Sequence, residues 1–228
     1  MNLRWTRPLA GLALVGALTT GCPSPSIYGT ARTIPQGTIQ HTMAAEVIGA
    51  GVRGNTLVMP TAPTYQLRIG VAENVDLGLR LGNLSMPGMD VKINLLRGAF
   101  DLAIDPGIQG MFIATSDEGV GFMYLNLPVV LGFNLSRNFS LIATPGLAYA
   151  VAFGTTTSSS SGSSTSATSY NGSGFMPRLG LGANIRISNA FALQPEFTGY
   201  YNFDSEGVVF TFGLGFLFGA QPDFSDIQ

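Results

Sequence analysis

Charge is scarce in this chain. Of its 228 residues only 11% are Asp, Glu, Lys or Arg, against about 25% in ordinary soluble domains. There is one cysteine, one histidine and one tryptophan. A single cysteine excludes an intrachain disulfide, and a single histidine leaves no Cys/His metal cluster to assemble. The net charge of −2 gives no basic footprint for nucleic acid. Long apolar runs are missing too. Beyond the first two dozen residues nothing approaches the ~20 consecutive apolar positions of a membrane helix. Yet 46% of the chain is hydrophobic. Such a chain must hide its apolar positions in another pattern, and alternation along β-strands is the candidate.

That alternation is present from Thr38 to Phe218. Tyr65, Leu67, Ile69 and Val71 share one face, with Gln66 and Arg68 on the other. Val75, Leu77, Leu79 and Leu81 oppose Asp76 and Arg80; Met89, Val91, Ile93 and Leu95 oppose Asp90, Lys92 and Asn94. Leu102, Ile104 and Ile108 oppose Asp101 and Asp105. Further runs follow around 123–133, 139–153, 175–187, 191–201 and 208–218, after a noisier first run over 38–48. About ten strands are predicted, eight or twelve being the alternatives. Every Asp, Glu, Lys and Arg within the runs lies on the polar parity: Glu46, Asp76, Asp90, Asp101, Asp105 and Glu196 against Arg68, Arg80, Lys92, Arg178 and Arg186. Connections alternate between tight (72–74, 98–99, 134–138, 188–190) and, for the most part, longer (49–63, 113–119, 154–174). Short turns on one side and longer loops on the other suit an all-β, antiparallel, up-and-down transmembrane barrel with its turns in the periplasm. A soluble barrel would need a polar face fit for water. This one is built largely from Gly, Ala, Ser, Thr and Asn, which suit the lumen of a narrow barrel.

The first residues read as a targeting segment. Arg4 and Arg7 precede an apolar stretch from Leu9 to Leu18, and Thr19-Thr20-Gly21-Cys22 follows. That ending resembles the bacterial lipobox, with Thr19 where leucine is more usual. The resemblance implies a signal peptide over 1–21, lipidation of Cys22 and, with Pro23 next, sorting to the outer membrane. Residues 22–37, rich in Pro, Ser, Gly and Thr, predict a flexible tether. The barrel then occupies 38–218, and 219–228 form a periplasmic tail.

Two stretches carry a wider resemblance. Glu73-Asn74-Val75-Asp76-Leu77-Gly78-Leu79-Arg80-Leu81-Gly82 and Thr211-Phe212-Gly213-Leu214-Gly215-Phe216-Leu217-Phe218 resemble the turn-and-strand and final-strand signals of bacterial outer-membrane β-barrel proteins. The second departs from the usual form because residues 219–228 follow the aromatic. The resemblance implies outer-membrane lipids and the barrel-assembly machinery as partners and both termini in the periplasm. A small solute or another envelope protein stays open as a further partner.

No catalytic set emerges. His41 has no acidic neighbour in sequence and stands with Met43 on the apolar face, where lipases of such barrels carry a serine two positions after the histidine. Asp117 with Glu118, and Asn202 with Asp204 and Glu206, read as solvated loop charge, so neither a metal nor a cofactor is implied. The Ser/Thr-rich stretch Thr155 to Thr168 reads as a mobile loop. Attention falls on the lumen. Alignment across Gly98-Ala99 places Lys92 opposite Asp105; Arg68 falls diagonal to Asp76 and Arg80 to Asp90; Arg178, Arg186 and Glu196 are expected to form a second cluster. The leading expectation is a non-enzymatic envelope barrel with a structural or interaction role. A porin-like channel or solute-binding barrel is the alternative, and an outer-membrane lipase or protease stands last.

Overall fold

The computed structural model describes residues 24–52, 55–82, 86–114, 119–159, 165–203 and 207–227. Its elements are β1 (Ile39–Val52), β2 (Asn55–Pro60), β3 (Thr64–Ala72), β4 (Val75–Gly82), β5 (Met86–Leu96), β6 (Phe100–Ile104), β7 (Gly107–Ala114), β8 (Gly119–Ser136), β9 (Phe139–Ser159), β10 (Thr165–Ser188), β11 (Phe191–Asn202) and β12 (Gly207–Gly219). All neighbours pair antiparallel, and β12 pairs β1, so the sheet closes on itself.

The twelve segments make ten staves. Pro106 has no N–H to donate and splits one stave into β6 and β7. The register runs unbroken across that gap: Ile93↔Ile104 and Asp90↔Gly107 lie on one alignment with β5. Residues 61–63 likewise divide β2 from β3, with a one-residue shift in pairing to β1. The expected long link over 49–63 is therefore mostly hairpin. The Ser/Thr-rich stretch also departs from expectation. Thr155–Ser159 pairs with Thr165–Ser169, extending β9 and β10. A run of small polar residues can continue a ladder whose hydrogen bonds are all main-chain.

Period two places the faces as the pattern predicts. Met43, Leu79, Leu127, Leu147, Leu181 and Phe212 are exposed outward, while Gln66, Arg68, Asp76, Lys92, Asn94 and Thr198 are buried inward. The turns at 73–74, 97–99, 137–138 and 189–190 lie at one end, with Ile39 and Gly219; this is called the near end. There Phe100 meets Phe133 at 5.2 Å and Phe191 meets Phe218 at 5.1 Å between ring centroids. At the far end Phe112 stacks on Phe153 and Tyr149 packs on Phe175. Paired aromatics at both rims are the girdles expected at two interfaces. Tyr65 does not join the far girdle: it stands opposite Met43 and meets His41.

An arginine on the outward face at mid-height is predicted to cost about 2–4 kcal/mol. Leu214→Arg, at the middle of β12, should lower the temperature at which the folded band converts to the unfolded one on a heat-modifiability gel. Leu214→Ala should lower it much less.

Candidate functional site

The lumen is occupied by the chain itself. Every residue from Ser24 to Ile34 is buried, and the segment crosses the barrel interior from far end to near end. Three staves report the same order. On β4, Ser24 N lies 3.6 Å from where a Cβ on Gly82 would stand, Ser26 O accepts from Arg80 at 3.0 Å, and Ile34 N donates to Asp76 at 3.2 Å. On β12, Ser26 meets Thr211 and Tyr28 lies over Gly213 and Gly215. On β11, Tyr28 N donates to Glu196 and Gly29 O accepts from Gln194. The expectation of a flexible tether is corrected for residues 24–34, which are buried. Its physical reason is that Pro25, Gly29 and Pro35 block a regular ladder, while lumen side chains satisfy the backbone in its place.

Backbone groups removed from water need partners. The carboxylate of Glu196 accepts from the N–H groups of Ile27 (2.8 Å) and Tyr28 (2.9 Å). Arg178 donates to Pro25 O at 3.0 Å, Lys92 to the carbonyls of Thr30 (3.0 Å) and Arg32 (2.8 Å), and Asn94 to Ala31 O at 3.0 Å. Apolar side chains of the plug add packing: Ile27 and Ala31 cluster with Ala103, Val130 and Ile142 on the wall. Tyr28 has a φ of 46°, a left-handed conformation costing roughly 1–2 kcal/mol for a non-glycine residue. It is pinned from two sides, because its hydroxyl donates to Glu46 at 2.7 Å while its N–H is held by Glu196.

The predicted ion pairs are rearranged around this plug. Register does set Lys92 opposite Asp105, yet the Lys92 ammonium lies 3.1 Å from Asp76, its partner across β4. Arg68 takes Asp90 at 2.6 Å and Asp105 at 3.5 Å, although it stands diagonal to Asp76 as aligned. Arg80 reaches Asp90 at 3.5 Å, the predicted diagonal. Arg178, Arg186 and Glu196 do not form one cluster. The first and last hold the plug at separate levels, while Arg186 sits at the near end on Ser136 O, Ser140 and Asn184. Cys22, Asp117, Glu118, Asp204 and Glu206 lie outside the described residues.

Sequence reasoning missed Tyr28, Arg32 and the roles of Glu46 and Asp101. One signal was available. The wall's inward charges number one more acid than base, and Arg32 supplies the missing cation. Its guanidinium bonds Asp101 at 2.8 Å, Asp226 at 2.5 Å and Gly98 O at 3.0 Å, and lies 4.4 Å from the centre of the Phe224 ring. Arg186 lies against the same ring at 3.5 Å. The tail that leaves β12 at Gly219 (φ 92°) thus folds back across the near mouth, where Arg137 also donates to Ile227 O at 2.7 Å.

Little space remains inside. A cavity of about 20 Å³ lies between Ile27, Asp105, Gln109, Asn126 and Tyr200, room for about one water. Asp105, Gln109 Nε2 and Asn126 Oδ1 lack hydrogen-bond partners there, so a water is the natural occupant. Beyond it toward the far end, Tyr124, Met176 and Tyr200 form an inward cluster, with the two tyrosine rings stacked at 5.8 Å. His41 is outside the lumen, exposed, with Nδ1 2.7 Å from the Tyr65 hydroxyl.

Residues 39–218 match the model of the outer membrane protein beta-barrel domain family. No curated protein matches the chain. Among solved structures it is similar to Ail, the attachment invasion locus protein of Yersinia pestis, at 14% identity over 81% of this chain and 99% of that one, TM-score 0.41. It is also similar to Neisserial surface protein A (10%, 80% and 99%, 0.41) and to the outer membrane protease OmpT of Escherichia coli (8%, 88% and 98%, 0.42).

Two predictions test the plug. A Cβ on Gly215 would stand 2.6 Å from the Tyr28 ring, so Gly215→Ala should destabilise the folded band and Tyr28→Ala should relieve it. Their interaction in a double-mutant cycle is expected at about 1–3 kcal/mol; simple additivity would place Tyr28 elsewhere. At the mouth, the hydrogen bond from Arg32 holds the Asp226 carboxyl below the usual aspartate range. A depressed folded-state pKa stabilises above the unfolded value and is lost as pH falls through the folded one. The tail should therefore become protease-sensitive as pH falls below the usual aspartate range, and Asp226→Asn should loosen it at neutral pH.

Proposed function

The chain belongs to the outer membrane protein beta-barrel domain family, and from that premise we propose that it is a closed, lipid-anchored barrel with a structural or interaction role in the cell envelope. The observation that carries this reading is the plug. A channel needs a continuous wet path, whereas residues 24–34 fill the lumen and use its charges as hydrogen-bond partners. The near end is the periplasmic one in this reading, because β8, β9 and β10 run far beyond the other rim, as the extracellular side of such barrels does. The far end, where β9 and β10 are longest, faces the cell exterior and offers the surface for any partner. The enzyme reading has no support from His41, whose ring nitrogen meets a tyrosine hydroxyl on the outer wall.

Lipidation of Cys22 is part of the same proposal and rests on the lipobox. The thiolate attacks a glycerol carbon of a phospholipid, forming a C–S bond as the C–O bond to phosphate breaks. The thiol proton goes to solvent, and the phosphorylated headgroup leaves with the electron pair. Cleavage before Cys22 then makes it the first residue.

Planar-bilayer recording tests the closed state. The full mature chain should show no stable unit conductance, and deletion of residues 24–34 with Cys22 retained should produce one. Steady conductance from the full chain would make the protein a small porin instead. Glu196→Gln should lie between these limits. It replaces one acceptor oxygen facing the plug with a donor, at a cost of about 1–3 kcal/mol, and brief openings are the expected result.

A further inference from the structure

The direction of the plug fixes where the chain's lipid can go. We propose that the mature N-terminus emerges at the far, extracellular mouth and that the acyl chains on Cys22 anchor in the outer leaflet, seated in an apolar groove on the outer wall beside the β4–β5 hairpin. This rests on the proposed lipidation and on the near end being periplasmic, and it replaces the sequence expectation of a periplasmic N-terminus.

Reach decides the matter. Ser24 lies level with Gly82 and Met86, the last pair of the β4–β5 ladder. This hairpin is the low point of the far rim: β4 ends at Gly82, whereas β9 runs on to Ser159. Cys22 is two residues before Ser24, at most about 7 Å of extended chain. The periplasmic leaflet lies beyond the other end of the plug, where Ile34 is level with Asp76, six strand residues and roughly 20 Å from Gly82. A two-residue stub cannot double back through a lumen whose remaining cavity is about 20 Å³. The outer leaflet is the only apolar medium it can meet.

The outer wall below that rim carries a shallow apolar depression. Pro87 follows Met86 directly, and with Leu79, Met89, Ile108, Phe112 and Phe153 it lines an apolar groove of about 570 Å³. Outward-facing Gly110 lies along its floor. The groove begins at Pro87, one residue from Met86, which pairs with the Gly82 that lies beside Ser24. An anchor there costs no exposure of acyl chain to water and no passage of lipid through the polar interior.

Three readouts on the full chain test this. First, a Ser26→Cys, Thr211→Cys pair, replacing side chains whose hydroxyls lie 3.0 Å apart, should form a disulfide in the heat-modifiable barrel; because the Cys22 sulfur is a thioether, these are the only free thiols. Absence of the disulfide overturns the threading. Second, a short epitope inserted between Pro23 and Ser24 should be reached by antibody on intact cells. Reaction only after permeabilisation puts the terminus in the periplasm and sinks the proposal. Third, a photo-reactive residue replacing Ile108 should capture the acylated N-terminal peptide. Capture of bulk phospholipid alone overturns the groove assignment, and an unmodified Cys22 by mass spectrometry overturns the anchor. Loss of heat-modifiability in the unsubstituted chain would instead refute the barrel reading itself.

Discussion

Every charge inside a narrow barrel must find a partner, because neither lipid nor bulk water is available to solvate it. The wall of this barrel places carboxylates and cations on its inner face in numbers that do not cancel by themselves. The plug completes the count through Arg32 and adds a row of backbone amides and carbonyls that need partners equally. Glu196, Asp76, Lys92, Arg178 and Arg80 each serve the plug's backbone. Wall and plug are thus one polar core inside an apolar ring. Removing either leaves the other with buried groups unpaired, which is costlier than never having made the bond.

The barrel was legible in the sequence because period two is local. Leu77 and Asp76 announce their faces without reference to anything else in the chain, and the even spacing of Gly98-Ala99 between its strands was enough to align Lys92 with Asp105. The plug was not legible because its order is entirely borrowed. Pro25, Ser26, Gly29 and Thr30 are the same residues a solvated linker would use, and nothing in them specifies that Glu196, far along the chain, will take two of their neighbours' amides. The ion pairs failed in detail for a related reason. Register fixes which backbones are opposite, but Lys92 could choose between Asp76 and Asp105, and its contacts to the plug carbonyls go with the Asp76 side.

Size matching ties the same parts together. Gly213 and Gly215 leave on β12 the space that the Tyr28 ring fills, and Gly70 leaves room for the carbonyl of Pro35. Small residues on the polar parity, read at first as a sign of a crowded lumen, mark the track of a particular segment. At the near mouth the Phe224 ring lies against both Arg32 and Arg186, so the tail closes over the place where the plug turns into β1. The junction of plug and β1 and the C-terminal tail are therefore secured against the same opening.

Tyr28 sits where the ring of strands is joined. Its hydroxyl is held by Glu46 on β1 and its ring covers glycines on β12, and Glu46 and Gly213 face each other across that joint. The first and last strands are the ones that meet only when a barrel shuts. A side chain bonded to one and packed on the other makes filling and shutting a single event in assembly. A terminus carrying the proposed lipid would resist being drawn through the polar lumen afterwards, which favours strands gathering around a segment already in place, as staves are hooped around a core.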